Sequence, residues 1–414
     1  MSTRSTRFTS ATKPMLFLAV IVGAGEFGLA SCEKNVLVGS SKVGDLHPGQ
    51  ITTTAAGGTT GSGGGIQSPC GSVAGTTGMA VIADGGVPEW GFPGLCPTIS
   101  TAPGELNRCG RTAGVAFSPD GQFVATASET TSPNVHIWRL SDGSLLHDLA
   151  GHGMQGSLSV AFSPDGKILA TGGWAPSCSG VNDPTMVKLW DVASGDLIRE
   201  IPAACGFYAA SAVFSHDGTR LATAGEYGPI QIWNVQDGTL LTSISPTNIS
   251  TVYAARFSPD DTLLVGVGAS TGGVWNATSA SLMFSLTGLD GDMNDAAFSP
   301  AGDRIITSGD AGNTSGDAGN LRYLDSSGTL LQTFHASDVN YFSRVVWVDD
   351  NHVVNDDWGG NVKSWTRNAS DRFVASGSWS LGSQALGLAA SPDGTRLLVG
   401  GDPGFMFLSY APTN

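Results

Sequence analysis

The residues best suited to chemistry are acidic, and they lie in the second half of the chain. Asp290, Asp292 and Asn294 have the D-x-D-x-N spacing that opens many calcium-binding loops. The sixth position lacks the expected glycine, and Ala301 stands where a bidentate glutamate would be required. This segment is therefore a weak candidate for calcium, and we expect no bound metal or cofactor.

No residue arrangement typical of an enzyme accompanies that segment. The seven histidines are dispersed along the chain, and no His-x-x-x-His or His-Glu cluster occurs among them. No Gly-x-Ser-x-Gly nucleophile turn precedes a helix, because the sequence indicates no helix of useful length. The glycine-rich runs also lack the strand and helix that a phosphate cradle requires. We therefore expect that the protein is not an enzyme.

The elements that position these residues come from one short phrase that repeats along the chain. VAFSPDG at residues 115–121 returns with changes, and its serine position falls at residues 118, 163, 215, 258, 299, 348 and 391. After each copy come an alternating apolar run, a loop, an aromatic-centred run, a second turn and, except after the last copy, a further apolar run. Period-two alternation between turns predicts four antiparallel strands per copy. The spacing of about 45 residues predicts one supersecondary unit used seven times.

These units resemble the blades of WD-repeat β-propellers. The second unit carries the likeness most clearly, with Gly151-His152 ahead of its first strand and Trp190-Asp191 closing its third strand. The family pattern implies a buried, structural hydrogen-bond chain made of His152, Thr171, Asp183 and Trp190. The resemblance implies an all-β fold, a seven-bladed β-propeller of four-stranded antiparallel blades, within residues 79–414.

A closed ring must hide its first and last strand edges, which predicts where the chain ends meet. The seventh unit ends at Tyr410 after its third strand. We therefore expect its outer strand to come from an N-terminal segment. Residues 79–83 (MAVIA) are the preferred candidate, and residues 97–101 (PTIST) are the alternative.

Several aromatic residues collect on one predicted face of the ring, in loops after second strands and just ahead of first strands. They are Trp174, Tyr208, Tyr227, Tyr341 and Trp358. Asp356 and Asp357 are expected to project from the same face. Packing over a loop base is the simpler interpretation of any single aromatic, but five on one rim indicate a binding surface for an unknown protein partner.

The alternative function is a calcium-dependent propeller hydrolase or lactonase, which would need acidic ligands from several blades around the central channel. The residues expected to face the channel at the start of the first strands include no recurring acid or histidine, which disfavours this alternative. They are Ala113, Leu158, Ala210, Tyr253, Asn294, Ser343 and Leu386.

Residues 1–31 resemble a bacterial lipoprotein signal peptide, with a basic leader, an apolar run of ten residues and a small-residue end. The tetrapeptide LASC, which ends at Cys32, resembles the lipobox and implies cleavage before Cys32 and lipid attachment to its thiol; an ordinary secretory signal is the alternative. Residues 32–78 are rich in Gly and Thr and predict a flexible tether. We expect a protein lipid-anchored in the bacterial cell envelope, with the outer membrane or periplasm favoured.

Cysteine use and net charge fit an envelope location. A disulfide between Cys178 and Cys205 is reasonable, because both are expected on the same face of the second blade. Cys96 with Cys109 is the favoured second pair, but the pairing among Cys70, Cys96 and Cys109 stays open. The net charge of −15 would repel phosphate backbones, so we expect no nucleic-acid partner. The sequence thus predicts a monomeric binding or scaffold protein.

Overall fold

Seven sheets make up the part of the protein that the computed structural model describes. That part consists of residues 88–90, 111–129, 133–152, 156–173, 187–202, 209–225, 228–246, 251–269, 271–286, 291–310, 319–337, 344–381, 384–402 and 404–411. Across these ranges there is no helix with the length and apolar character needed to cross a membrane. The predicted signal peptide (1–31) and tether (32–78) lie outside them.

Each sheet has four antiparallel strands, and we number the strands in chain order and the sheets as blades 1 to 7. A short strand, β1 (Pro88–Trp90), comes first. Blade 1 contains β2 (Thr112–Phe117), β3 (Phe123–Ser128), β4 (Val135–Arg139) and β5 (Leu145–Leu149). Blade 2 contains β6 (Ser157–Phe162), β7 (Ile168–Gly173), β8 (Val187–Asp191) and β9 (Leu197–Ile201). Blade 3 contains β10 (Ala209–Phe214), β11 (Arg220–Gly225), β12 (Ile230–Asn234) and β13 (Leu240–Ile244).

The remaining blades follow the same plan. Blade 4 contains β14 (Val252–Phe257), β15 (Leu263–Gly268), β16 (Thr271–Asn276) and β17 (Leu282–Ser285). Blade 5 contains β18 (Met293–Phe298), β19 (Arg304–Asp310), β20 (Gly319–Asp325) and β21 (Leu330–Ser337). Blade 6 contains β22 (Val345–Asp349), β23 (His352–Asp356), β24 (Asn361–Arg367) and β25 (Phe373–Ser380). Blade 7 contains β26 (Ala385–Ala390), β27 (Arg396–Gly401) and β28 (Gly404–Ser409), with β1 as its outer strand. The predicted seven-bladed β-propeller is confirmed.

An apolar cluster lies between each pair of neighbouring blades and holds the ring together. Between blades 1 and 2, Ile137 packs in one cluster with Leu169. Between blades 7 and 1, Trp138 packs with Phe405 and Phe407. Fully burying a side chain of this size contributes about 1.5–3 kcal/mol. Because every cluster takes side chains from two blades, no blade can bury its apolar faces by itself.

The repeated Ser-Pro-Asp-Gly phrase is a turn whose side chains bind their own backbone. In blade 1 the Ser118 hydroxyl donates to Asp120 Oδ1 at 2.6 Å, and Ser118 Oγ accepts a hydrogen bond from the Phe123 amide at 2.8 Å. The same two contacts recur in blades 2, 3, 4 and 7. The phrase therefore marks the tight turn between the first and second strands of a blade.

The ring is closed by β1, which pairs antiparallel with β28. Pro88 lies opposite Leu408 and Trp90 lies opposite Met406. Closure by an N-terminal strand is confirmed, but the choice of residues 79–83, or of residues 97–101 as the alternative, was wrong. The strand was missed because three residues are too few to show the alternation that identifies a strand in sequence.

A β-bulge near the start of the first strand is present in six blades and changes which residues face the channel. The bulges skip Ala113, Leu158, Ala210, Tyr253, Asn294 and Leu386 in the pairing. These are six of the seven residues that the sequence placed at the channel wall, and Ser343 lies outside the described ranges. A bulge inserts one extra residue into the strand. Ala113 and Leu158 line the central cavity as predicted, whereas in blades 5 and 7 the lining residues are Asp295 and Gly387, one position after the predicted Asn294 and Leu386.

Candidate functional site: the channel and the loop-bearing face

A cavity of about 530 Å³ lies where the first strands of all seven blades converge. Its ionisable lining residues are His216, Arg256, Asp295 and Arg344. Apolar groups from other blades, such as Leu158 and Leu388, complete the wall. A cavity of this size whose wall combines apolar side chains with a few converging polar groups is a candidate small-molecule site.

Arg256 connects three blades at the wall of this cavity. Its Nη1 donates to Ser211 Oγ in blade 3 at 3.0 Å and to the Ala255 carbonyl at 3.1 Å. Its Nη2 lies 3.2 Å from Asp295 Oδ1 in blade 5. The Asp295 carboxylate is itself buried and also accepts hydrogen bonds from the amides of Ala296 and Val345. Sequence reasoning missed this network, because the bulge puts Asp295 where Asn294 was expected.

Asp356 and Asp357 do not project from the face as expected, since both side chains are fully buried. Asp356 Oδ1 accepts a hydrogen bond from the Arg344 amide at 2.7 Å, whereas its Oδ2 has no hydrogen-bond partner among the described residues. Burial raises the pKa of Asp356 to about 7, although Arg344 opposes the shift. Asp357 binds the amide and side chain of Asn361. Both aspartates therefore bind backbone amides at the ends of blade 6 strands, and neither contributes to an exposed acidic surface.

His216 and Asp261 form a contact between the turns of blades 3 and 4. Each residue departs from the repeated phrase, with His216 in place of proline and Asp261 in place of glycine. Asp261 adopts a φ of 60° and accepts hydrogen bonds from the amides of His216 and Asp217, both at 2.8 Å. His216 Nδ1 lies 2.9 Å from the same carboxylate. The two departures thus compensate each other across one blade boundary.

The implied WD hydrogen-bond chain can be followed for three of its four residues. His152 Nε2 lies 3.0 Å from Thr171 Oγ1, and Trp190 Nε1 donates to that oxygen at 3.0 Å. All three side chains are buried, and Asp183 lies outside the described residues. The chain ties the segment before β6 to β7 and β8 inside blade 2, which is a structural role.

Three other blades keep the tryptophan half of that chain, which sequence reasoning missed. The indole nitrogens of Trp138, Trp233 and Trp365 donate to Thr126 Oγ1, Thr223 Oγ1 and Asn355 Oδ1 at 3.1, 3.0 and 2.8 Å. A signal was present, since threonine occupies the same place in FVATAS, ILATGG and RLATAG of the second strands. A buried indole N–H needs such an acceptor, because leaving it without a partner is costly.

Of the five predicted rim aromatics, Trp358 lies in the described part of the chain. Its half-buried ring has the Arg111 guanidinium carbon 5.3 Å from the ring centre. Arg111 Nη1 donates to Glu129 Oε2 at 2.9 Å, and burial raises the pKa of Glu129. These contacts join blade 6 to the segment just before blade 1. In blade 7, which lies between these blades, only residues 402–403 connect β27 to β28. The other rim residues, Trp174, Tyr208, Tyr227 and Tyr341, lie outside the described ranges.

The candidate calcium segment gives no metal centre in the part of the chain that the structure describes. Asn294 is buried at the bulge of β18, and Asp290 lies outside the described residues. Within those residues, no group of three or more His, Cys, Asp and Glu side chains is placed to hold a metal ion. The cysteines of the predicted lipid attachment and disulfides, Cys32, Cys70, Cys96, Cys109, Cys178 and Cys205, also lie outside them.

Comparison with known proteins agrees with this geometry. The model of the WD domain, G-beta repeat, matches residues 110–139 and 143–191, which include most of blades 1 and 2. The chain is 32% identical over 125 residues to Periodic tryptophan protein 2 homolog of Schizosaccharomyces pombe, covering 30% of this chain and 13% of that protein. It is 29% identical over 142 residues to Apoptotic protease-activating factor 1 of Rattus norvegicus, covering 32% of this chain and 10% of that protein.

The fold defines a seven-bladed β-propeller, and the sequence matches show that its first two blades are similar to WD repeats. The chain spans roughly a tenth of the length of the curated relatives that it matches. The likeness therefore concerns the repeats and not the whole of either relative.

Proposed function

We propose that the protein is a non-catalytic binding scaffold that holds a protein partner on the face carrying the loops between second and third strands. Propellers with WD-type repeats are suited to protein–protein interaction. On this face the connections differ in length: residues 174–186 join β7 to β8 and residues 311–318 join β19 to β20, whereas residues 402–403 join β27 to β28. A rigid ring that carries unequal loops can present a distinctive surface to one partner.

The observation that carries this proposal is the placement of Trp358 beside Arg111. Tryptophan and arginine are the side chains most enriched among residues that dominate binding energy at interfaces. Here they form a cation–π pair, 5.3 Å apart, next to the short connection of blade 7. Trp358 is half-buried and the Arg111 side chain is 33% exposed, so both can contact a partner.

Attachment to the bacterial envelope membrane through Cys32 is the second element of the proposal. Two or more acyl chains on one residue give firm anchoring, because each buried methylene contributes about 0.8 kcal/mol. A lipid on Cys32, with residues 32–78 as the tether, would place the propeller near the outer membrane or in the periplasm. Its support is the order of basic, apolar and small residues that ends in LASC.

Cross-linking in intact envelopes tests the interaction. The wild-type protein should give a specific cross-linked species, and Trp358→Ala should lose it while its melting temperature falls only slightly, since one exposed cation–π contact contributes about 0.5–1 kcal/mol. Leu282→Ala is the matched control, because Leu282 is 51% exposed on the outer strand of blade 4, away from the loops. Equal cross-linking by Trp358→Ala and the wild type would contradict the proposed surface.

Membrane fractionation tests the anchor separately. The wild-type protein should stay with membranes in high salt and be released by detergent, whereas Cys32→Ser should be released without detergent. A Cys32→Ser protein that remains with the membranes would refute lipid attachment at this residue and would leave the binding face untouched.

A further inference from the structure

We propose that the cavity at the centre of the ring binds a small organic carboxylate, with Arg344 and Arg256 as its anion-binding residues. This site is separate from the loop-bearing face, and the inference does not depend on the proposed protein partner or on the lipid anchor. It rests on the charge of the cavity wall, on the donors of Arg344 that have no partner among the described residues, and on the apolar groups that complete the wall.

The charge of the cavity is opposite to that of the chain. The whole protein has a net charge of −15, yet the wall carries two arginines, Arg256 and Arg344, against one aspartate, Asp295. Charge of one sign inside a cavity with low-dielectric walls is focused and attracts ligands of the opposite sign. A small anion that the outer surface repels would therefore be favoured inside.

The aspartate of the wall is withdrawn from the cavity, while the arginines are not. The Asp295 side chain is 3% exposed, and both its oxygens accept hydrogen bonds from the protein. The Arg256 side chain is 33% exposed although it binds Ser211 and Asp295. Asp295 thus fixes the position of Arg256 and leaves the exposed part of the guanidinium for a ligand.

The Arg344 guanidinium has no hydrogen-bond partner among the described residues. The backbone amide of Arg344 is held by Asp356 Oδ1 at 2.7 Å, which fixes the residue at the cavity wall. Its guanidinium makes no hydrogen bond or ion pair with any residue in the described ranges, and Arg344 is half-buried. Asp356 neutralises this charge incompletely, since burial raises the pKa of Asp356 to about 7. A guanidinium in this state is a ready partner for a carboxylate, which accepts two parallel hydrogen bonds from it.

The remaining wall selects an anion with an apolar body. Val115, Leu158, Val160 and Leu388 line the same cavity, and Trp347 adds an aromatic surface. The volume of about 530 Å³ accommodates a small organic molecule. Inorganic phosphate would satisfy the arginines but would leave these apolar groups in contact with water. A carboxylate on an apolar body satisfies both.

Titration with benzoate tests the inference, with benzamide as the uncharged probe of the same shape and inorganic phosphate as the anion without an apolar body. We expect saturable binding of benzoate by calorimetry or saturation-transfer NMR, and at least about tenfold weaker binding of benzamide and phosphate. Arg344→Gln should weaken benzoate binding by about tenfold or more, and Arg344→Lys should retain part of it.

Arg139→Gln is the matched control, because Arg139 is an exposed arginine whose guanidinium lies over the Phe123 ring and not in the cavity. It should bind benzoate as the wild type does, and all variants should have similar melting temperatures. Equal affinity for benzoate and benzamide, an unchanged affinity in Arg344→Gln, or no saturable binding of benzoate would overturn the inference. Phosphate binding as tightly as benzoate would overturn the role of the apolar wall.

Discussion

Replacing Thr171 with valine should destabilise blade 2 by an amount that the hydrogen bonds of this residue predict. Valine keeps the shape of threonine but removes Oγ1, which accepts from Trp190 Nε1 at 3.0 Å and lies 3.0 Å from His152 Nε2. The indole N–H would remain buried without an acceptor, which costs about 1–3 kcal/mol. His152 keeps its contact with the Thr171 carbonyl at 3.0 Å, so its loss is limited to about 1 kcal/mol.

Thr126→Val in blade 1 is the matched variant for this experiment. Thr126 Oγ1 accepts from Trp138 Nε1 at 3.1 Å in the same pair of strands, and both side chains are 2% exposed. The free energy of unfolding, measured by urea denaturation with an unchanged m-value, should fall by about 2–4 kcal/mol in Thr171→Val and by about 1–3 kcal/mol in Thr126→Val.

The difference between the two variants isolates the contribution of the histidine. It should be about 1 kcal/mol, with Thr171→Val the less stable protein. Equal losses in the two variants would mean that the contact between His152 and Thr171 contributes nothing. A loss below about 0.5 kcal/mol in both would refute the cost assigned to the unpaired indole donors, since neutral surface changes fall in that range.

Three further predictions concern pH and chain closure. The hydroxyl of Ser391 lowers the pKa of Asp393 to about 2. The stabilisation by the Asp393 carboxylate is therefore complete above the unfolded pKa of about 3.9 and is lost as the pH falls toward 2. The melting temperature should fall less on acidification in Asp393→Asn than in the wild type. Burial raises the pKa of Asp356 to about 7, so the stability of the protein should fall as the pH rises from about 4 through 7. Asp356→Asn should show a smaller decline and should melt at a higher temperature than the wild type at a pH of about 8. A chain beginning at Pro88 should keep the melting temperature of the full protein, whereas a chain beginning at Gly91 lacks β1 and should melt lower; equal melting of the two would show that β1 is dispensable.

The fold could be predicted from sequence because its determinants are local and recur. Ser118 and Asp120 bind the backbone of their own turn, and the same residues return in most blades, so one phrase locates each pair of strands. Alternation of apolar residues then supplies the rest, since the second and third strands are packed between neighbouring blades.

The polar network of the channel could not be predicted, because a bulge changes the face of every later residue in its strand. The sequence shows Asn294 and Asp295 side by side, and neither the extra residue nor its place in the strand leaves a compositional mark. Arg256 and Asp295 lie in different blades, so their contact depends on how the blades pack and not on spacing. The burial of Asp356 was missed for a similar reason, because it depends on a contact with another segment. Asp356 ends a strand, and its carboxylate accepts a hydrogen bond from the Arg344 amide.

His216 and Asp261 show a signal that sequence could have given. Both break the repeated phrase, in neighbouring copies and at positions two residues apart in the turn. Two exceptions one repeat apart are expected to meet if the turns of neighbouring blades touch around the ring. Here they do, with Asp261 binding two amides of the preceding turn.

The position of β1 also decides how mechanical force would enter the propeller. The chain before Pro88 leaves from the outermost strand, so tension on that segment is carried first by three residue pairs with β28. Inner strands such as β26 pack against the neighbouring blade and cannot be peeled away alone. Pulling would therefore detach β1 from blade 7 before the contacts between neighbouring blades separate, and the ring would open in steps.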